Sequence, residues 1–211
     1  MKQEKNKISK KEWDKKFKMN WDETPKLDVP VKDVPVKIDH DSINKYKELV
    51  KNNPDDAEAH LYLGISYCFS GMHKEAVESY KQVLRIDPDN TDAYNNLAVA
   101  YAYLGMCDEE IESSKQVLRI DPDNADAHRS IGNANYVLGM FEEAIESYEQ
   151  ALKIDPYNEL VHLFLGFAYC NLDDRDSALE EYEILRILGS EWANDLNVEI
   201  YLPSEAEFKG E

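Results

Sequence analysis

The sequence predicts an all-α fold assembled from tandem helix-turn-helix repeats, and three observations carry that prediction. Residues 57–90, 91–124, 125–158 and 159–192 align without an insertion at a period of 34, and KQVLRIDPDN stands at 81–90 and again, letter for letter, at 115–124. The second half of each repeat, as in HKEAVESYKQVLRIDP, spaces its apolar residues at i, i+3, i+4 and i+7, the pattern of a helix with one buried face. The first halves, such as AHLYLGISYCFSG and AYNNLAVAYAYLG, are apolar more continuously and run into Gly71, Gly105 and Gly139. Glycine takes the left-handed conformation that ends a helix without a side-chain penalty, so each repeat reads as helix, tight turn, helix.

The junctions between repeats have their own mechanism. Pro88, Pro122 and Pro156 stop the second helix, and Asn90, Asn124 and Asn158 then stand where an N-cap side chain accepts from the next helix's free amides. Asp92, Asp126 and Glu159 follow in the first turn, where a negative charge meets the positive end of the helix dipole. DPDN is thus a stop-and-start signal.

The pattern resembles the tetratricopeptide repeat, whose signature sets an aromatic, Leu, Gly, Tyr, Ala, an aromatic, Ala and Pro at fixed places in 34 residues. The first repeat matches with Leu63, Gly64, Tyr67, Ala76, Tyr80 and Pro88, the third with Gly132, Ala144, Tyr148, Ala151 and Pro156, and the fourth with Leu165, Gly166, Tyr169, Ala178 and Tyr182. Upstream, SINKYKELVKNNP (42–54) fits the second helix of a truncated earlier repeat, with Tyr46, Leu49 and Pro54 in phase. The departures are Ala98 for Gly, Glu110 for Ala, Asn135 for Tyr, and Asp173 and Ser190 at the ends of the fourth repeat's helices. Glu110 and Ser114 mark the second repeat's outer helix as the most weakly packed.

The resemblance implies a right-handed α-solenoid superhelix. The expected organisation is a basic aromatic arm (1–22), an extended linker (23–40), a partial helix (41–56), four repeats (57–192), and a capping helix and tail (193–211). Within SEWANDLNVEI (190–200), Ser190 is the candidate N-cap of that last helix. Terminal caps are needed because one repeat cannot bury its own apolar face.

Charge and composition narrow the partners. Of 43 acidic and 24 basic residues, residues 1–40 hold 11 Lys and 8 Asp or Glu, so the remainder carries a net charge of −22. Such a body repels phosphate backbones and anionic lipid heads; nucleic acid is not an expected ligand and a membrane is a disfavoured one. Cys68, Cys107 and Cys170 are odd in number and form no CxxC, and no apolar run has the length of a membrane span or a secretory signal core; a soluble cytoplasmic protein is expected.

No catalytic residue, cofactor or metal site is expected. His60, His128 and His162 share one repeat position, but neighbouring repeats stack about 10 Å apart, too far for side chains to share a zinc bound at about 2.0 Å. DPDNTDAYNNLA lacks the glycine and the final Glu of a calcium loop.

What remains is a surface. In the family that the repeats resemble, first helices line a concave face, with contacts mainly from repeat places 2, 5, 9, 12 and 13. Carried onto this chain, the expected peptide-binding groove includes Leu61, Ile65 and Phe69, then Asn95, Val99 and Tyr103, then Arg129, Asn133 and Tyr136, then Leu163, Phe167 and Asn171. Arg129 is the one basic group among them, which argues against a clamp for acidic tails. The apolar groups suit an apolar segment, and the three Asn suit a peptide backbone.

The arm KISKKEWDKKFKMNW (7–21) places Trp13, Phe17 and Trp21 at i, i+4 and i+8, one apolar helix face among lysines, and is followed by the duplicated spacer DVPVKDVPVK (28–37). It folds back on the acidic body, binds a partner, lies on a membrane, or stays disordered. The expected function is a non-catalytic adaptor binding a basic or apolar protein or peptide partner. The alternatives are a self-assembling scaffold, in which the arm docks onto a groove, and an accessory subunit of an enzyme.

Overall fold

A computed structural model describes residues 40–201, and every regular element among them is α-helical. The chain divides into two compact bodies, Met1–Asp123 and Asn124–Glu211.

The N-terminal body contains α1 (His40–Asn52), α2 (Ala57–Phe69), α3 (His73–Ile86), α4 (Thr91–Leu104) and α5 (Cys107–Ile120). Each helix packs on the next, and α2 also touches α4. Tyr46, Leu63, Ile65, Tyr67, Ala76, Val77, Tyr80, Leu97, Ala100 and Tyr101 form its core. Within the duplicated stretch, Val83 and Val117 are sealed and Leu84 and Leu118 half-buried, so both copies are framework.

The C-terminal body contains α6 (Ala125–Val137), α7 (Phe141–Ile154), α8 (Glu159–Asn171), α9 (Arg175–Leu188) and α10 (Ala193–Tyr201), again packed in sequence, with α10 also lying on α8. Helix α10 begins at Ala193, and the Ser190 hydroxyl accepts from the Trp192 amide at 3.3 Å, three residues ahead of the helix.

The junction chemistry is visible atom by atom. Asn90 accepts from the Ala93 amide at 2.9 Å, Asn124 from Ala127 at 2.9 Å and Asn158 from Val161 at 3.2 Å, each satisfying an amide that the helix start leaves free. Asp56 does the same for Ala59 at 2.9 Å. Gly71, Gly105 and Gly139 all take φ near +70°, and Asp173, their counterpart in the fourth repeat, is forced to φ 59°.

Glycine inside the first helices serves packing. A methyl group on Gly132 would stand 2.5 Å from the Tyr148 ring, and one on Gly64 would overlap Tyr80. At Gly166 the occupant is Leu196 of α10, so the last helix inserts a side chain where earlier repeats insert a tyrosine. The second repeat pairs Ala98 with Ser114 at these two places. In its outer helix Glu110, Ser113 and Ser114 are all buried, and the Ser114 hydroxyl has no hydrogen-bond partner among the described residues.

Candidate functional site

The first helices carry the residues expected to bind, and their surroundings separate those able to meet a ligand from those spent on the fold. In the N-terminal body, Phe69 closes α2 and is 53% exposed. Leu61, Asn95, Val99 and Tyr103 are half-buried. The Tyr103 ring lies parallel to His73 with centroids 4.4 Å apart, and the Asn95 amide makes no side-chain hydrogen bond among the described residues. Ile65 is a correction: it is fully buried in the core, because the face of α2 that carries it is packed against by neighbouring helices.

In the C-terminal body the expected groove residues are largely internal. Leu163 and Phe167 are buried, since α8 is enclosed by α7, α9 and α10 and its residues from Val161 to Ala168 are inside, and Tyr136 is buried on α6, which packs on α7 and touches α8. These three are corrected from ligand contacts to core. Tyr136 packs edge-on to Phe141 at 5.3 Å, and its hydroxyl accepts from Asn171 Nδ2 at 2.9 Å. Asn171 Nδ2 also donates to the Phe167 carbonyl at 2.8 Å. Burial, with the Glu199 carboxylate adding to it, holds the Tyr136 phenol well above the ordinary tyrosine range, so it stays protonated. Asn133 accepts from the Tyr148 hydroxyl at 2.9 Å, and Arg129 is bound to Asp126 at 2.8 Å. The C-terminal amides thus stitch helices together before they meet any ligand.

The shared histidine position is structural where its contacts are described. His60 Nε2 lies 3.1 Å from the Pro54 carbonyl and His162 Nε2 lies 3.0 Å from that of Pro156, the same six-residue relation. His162 has an additional partner that sequence reading missed: its Nδ1 is 2.6 Å from Glu181 Oε2, and both residues are buried. Glu181 holds the place of Ser79, Ser113 and Ser147, each of which donates to its own helix's carbonyl four residues back. The signal was that departure from serine.

Cys68 accepts from the Tyr80 hydroxyl at 3.6 Å, and burial pushes its thiol pKa up, which suits packing rather than nucleophilic attack. Among the described residues no group of three His, Cys, Asp or Glu lies close enough to hold a metal, and no helix is long and apolar enough to cross a membrane. Trp13, Phe17 and Trp21 lie outside the described residues.

The repeat geometry has counterparts among known families. Residues 66–105 match a family described as TPR repeat, and residues 91–124 and 125–158 each match a family described as tetratricopeptide repeat. The chain is a tetratricopeptide-repeat protein. Its fold is the α-solenoid of that family.

No curated protein matches the sequence. Among solved structures, this tetratricopeptide-repeat chain is similar to MamA at 26% identity and TM-score 0.67, covering 70% of this chain and 86% of that one. It is also similar to a thermophilic TPR protein in Thermus thermophilus (24% identity, TM-score 0.58, 75% and 86% covered). A third is YrrB, a TPR protein with an unusual peptide-binding site (20% identity, TM-score 0.66, 74% and 81% covered). The last two likenesses are of fold.

Proposed function

We propose that this tetratricopeptide-repeat chain is a non-catalytic adaptor, and that the first-helix face of its N-terminal body binds a peptide segment of a partner protein. The observation that carries this reading is Phe69, a large aromatic side chain 53% exposed at the end of α2. Half-buried Leu61 shares its helix, and Val99 and Tyr103 stand on α4, which touches α2. Single exposed apolar groups are ordinary on protein surfaces, but here they accompany Asn95, whose amide is uncommitted among the described residues and can bond a peptide backbone. Glu58 on α2 and Asp92 on α4 are exposed, so the favoured segment presents an apolar side chain flanked by Lys or Arg. Affinity on the order of micromolar fits the ordering cost of a flexible peptide.

Selection from a displayed random-peptide library tests the reading. Enriched peptides should carry an apolar residue beside basic ones, and Phe69→Ala with Asn95→Ala should abolish their binding while helicity is retained. Peptides that bind this double variant as well as the parent would place the site elsewhere.

A further inference from the structure

One repeat position is sealed in every repeat but the truncated one. Val83, Val117, Ala151 and Leu185 are 0%, 0%, 1% and 0% exposed, whereas Leu49, their counterpart in α1, is 41% exposed. The cause is readable in α3. Tyr80 and Val83, one turn apart, share the face turned to the repeat's own first helix, where Gly64 receives the Tyr80 ring. Helix α1 presents the same pair as Tyr46 and Leu49, with no first helix before it among the described residues. Tyr46 turns instead to α2, stacking on Tyr62 at 5.4 Å.

The residues standing at the first-helix position of this truncated repeat are unable to supply the missing helix. Residues 23–35, one period before α2, read ETPKLDVPVKDVP, and Pro25, Pro30 and Pro35 forbid a continuous helix there. Immediately upstream stands the stretch with Trp13, Phe17 and Trp21 at helical spacing. Its pattern is that of a terminal cap. The first helices α2, α4 and α8 are apolar around most of their circumference, while this stretch has one apolar face and lysines elsewhere, as an outermost helix requires.

We propose that the arm forms the first helix of the truncated repeat and lies on α1 of its own chain, with the face of Trp13, Phe17 and Trp21 over Leu49. The linker permits it. Residues 22–39 span up to about 60 Å when extended, against about 20 Å for the length of α1, and the tether holds the arm at millimolar effective concentration. The N-terminal body is then closed by the arm much as α10 closes the C-terminal body with Leu196. This seat is separate from the peptide face proposed above, so either reading stands or falls alone.

Hydrogen exchange on the full chain tests it. In Trp13→Ser/Trp21→Ser, the amides of 43–50 should exchange about tenfold faster than in the parent while those of α3 are unchanged; unchanged exchange in α1 overturns the proposal. In a Trp192→Phe background the two arm tryptophans are the only ones left. Their emission should be blue-shifted, and should move to the red in Leu49→Asp, at every protein concentration. Emission matching the unfolded chain, or a shift that fades on dilution because a second copy's arm fills the seat, also overturns it.

Discussion

His162 and Glu181 stand 2.6 Å apart in the interior of the C-terminal body, and the second ring nitrogen of His162 faces the Pro156 carbonyl. Both ring nitrogens meet acceptors, so the arrangement is satisfied only when both carry protons. Burial alone would lower the histidine's pKa, but Glu181, the Pro156 carbonyl and Asp155 together outweigh it, and His162 titrates above its ordinary value.

The sign of the pH dependence follows. A raised folded-state pKa contributes stability that is fully present below the unfolded value, about 6.5, and is lost as pH rises through the folded value. The urea midpoint of the C-terminal body should therefore fall as pH is raised from about 6 to 9. Glu181→Gln should flatten that slope and cost about 1.5–3 kcal/mol at pH 6; an unaltered slope would remove His162 from the account.

The glycine–tyrosine contacts predict a non-additive pair. Gly132→Ala forces a methyl into the Tyr148 ring and should cost about 1–3 kcal/mol. Combined with Tyr148→Ser, which reproduces the Ala98 and Ser114 found in the second repeat, the added cost of the methyl should vanish, and a double-mutant cycle reads this as coupling.

Phe69 and Phe167 occupy related first-helix positions but should behave oppositely. Phe167→Ala empties a buried site and should cost about 3–5 kcal/mol of stability in thermal or urea unfolding. Phe69→Ala should change stability by no more than about 0.5 kcal/mol and act on binding.

Asp173 holds at φ 59° a turn that glycine closes in the three preceding repeats. Asp173→Gly should relieve the side-chain penalty of that conformation and raise stability by about 0.5–1 kcal/mol, measured as a higher unfolding midpoint.

The repeat pattern made Gly64, Tyr80, the Asn caps and the turn glycines legible before any coordinate, because each depends on partners a fixed number of residues away. Burial at Ile65, Tyr136, Leu163 and Phe167 was not legible in the same way. Their places in the repeat assign a helix face, but whether that face is open depends on which helices enclose it, as α10 does beside α8. The His162–Glu181 pair escaped because it exists in one repeat only. The exposed Phe69 and the uncommitted Asn95 were both on the expected face, and the structure separates them from neighbours spent on packing.

Arg85 binds Asp55 at 2.6 Å, and Arg119 binds Asp89 across the same interval of thirty residues. The first copy of KQVLRIDPDN therefore carries both an arginine that reaches back, Arg85, and an aspartate that meets the next arginine, Asp89, and the second copy supplies that next arginine. The join between these successive repeats is thus itself duplicated, one charge pair copied along with the segments that it links.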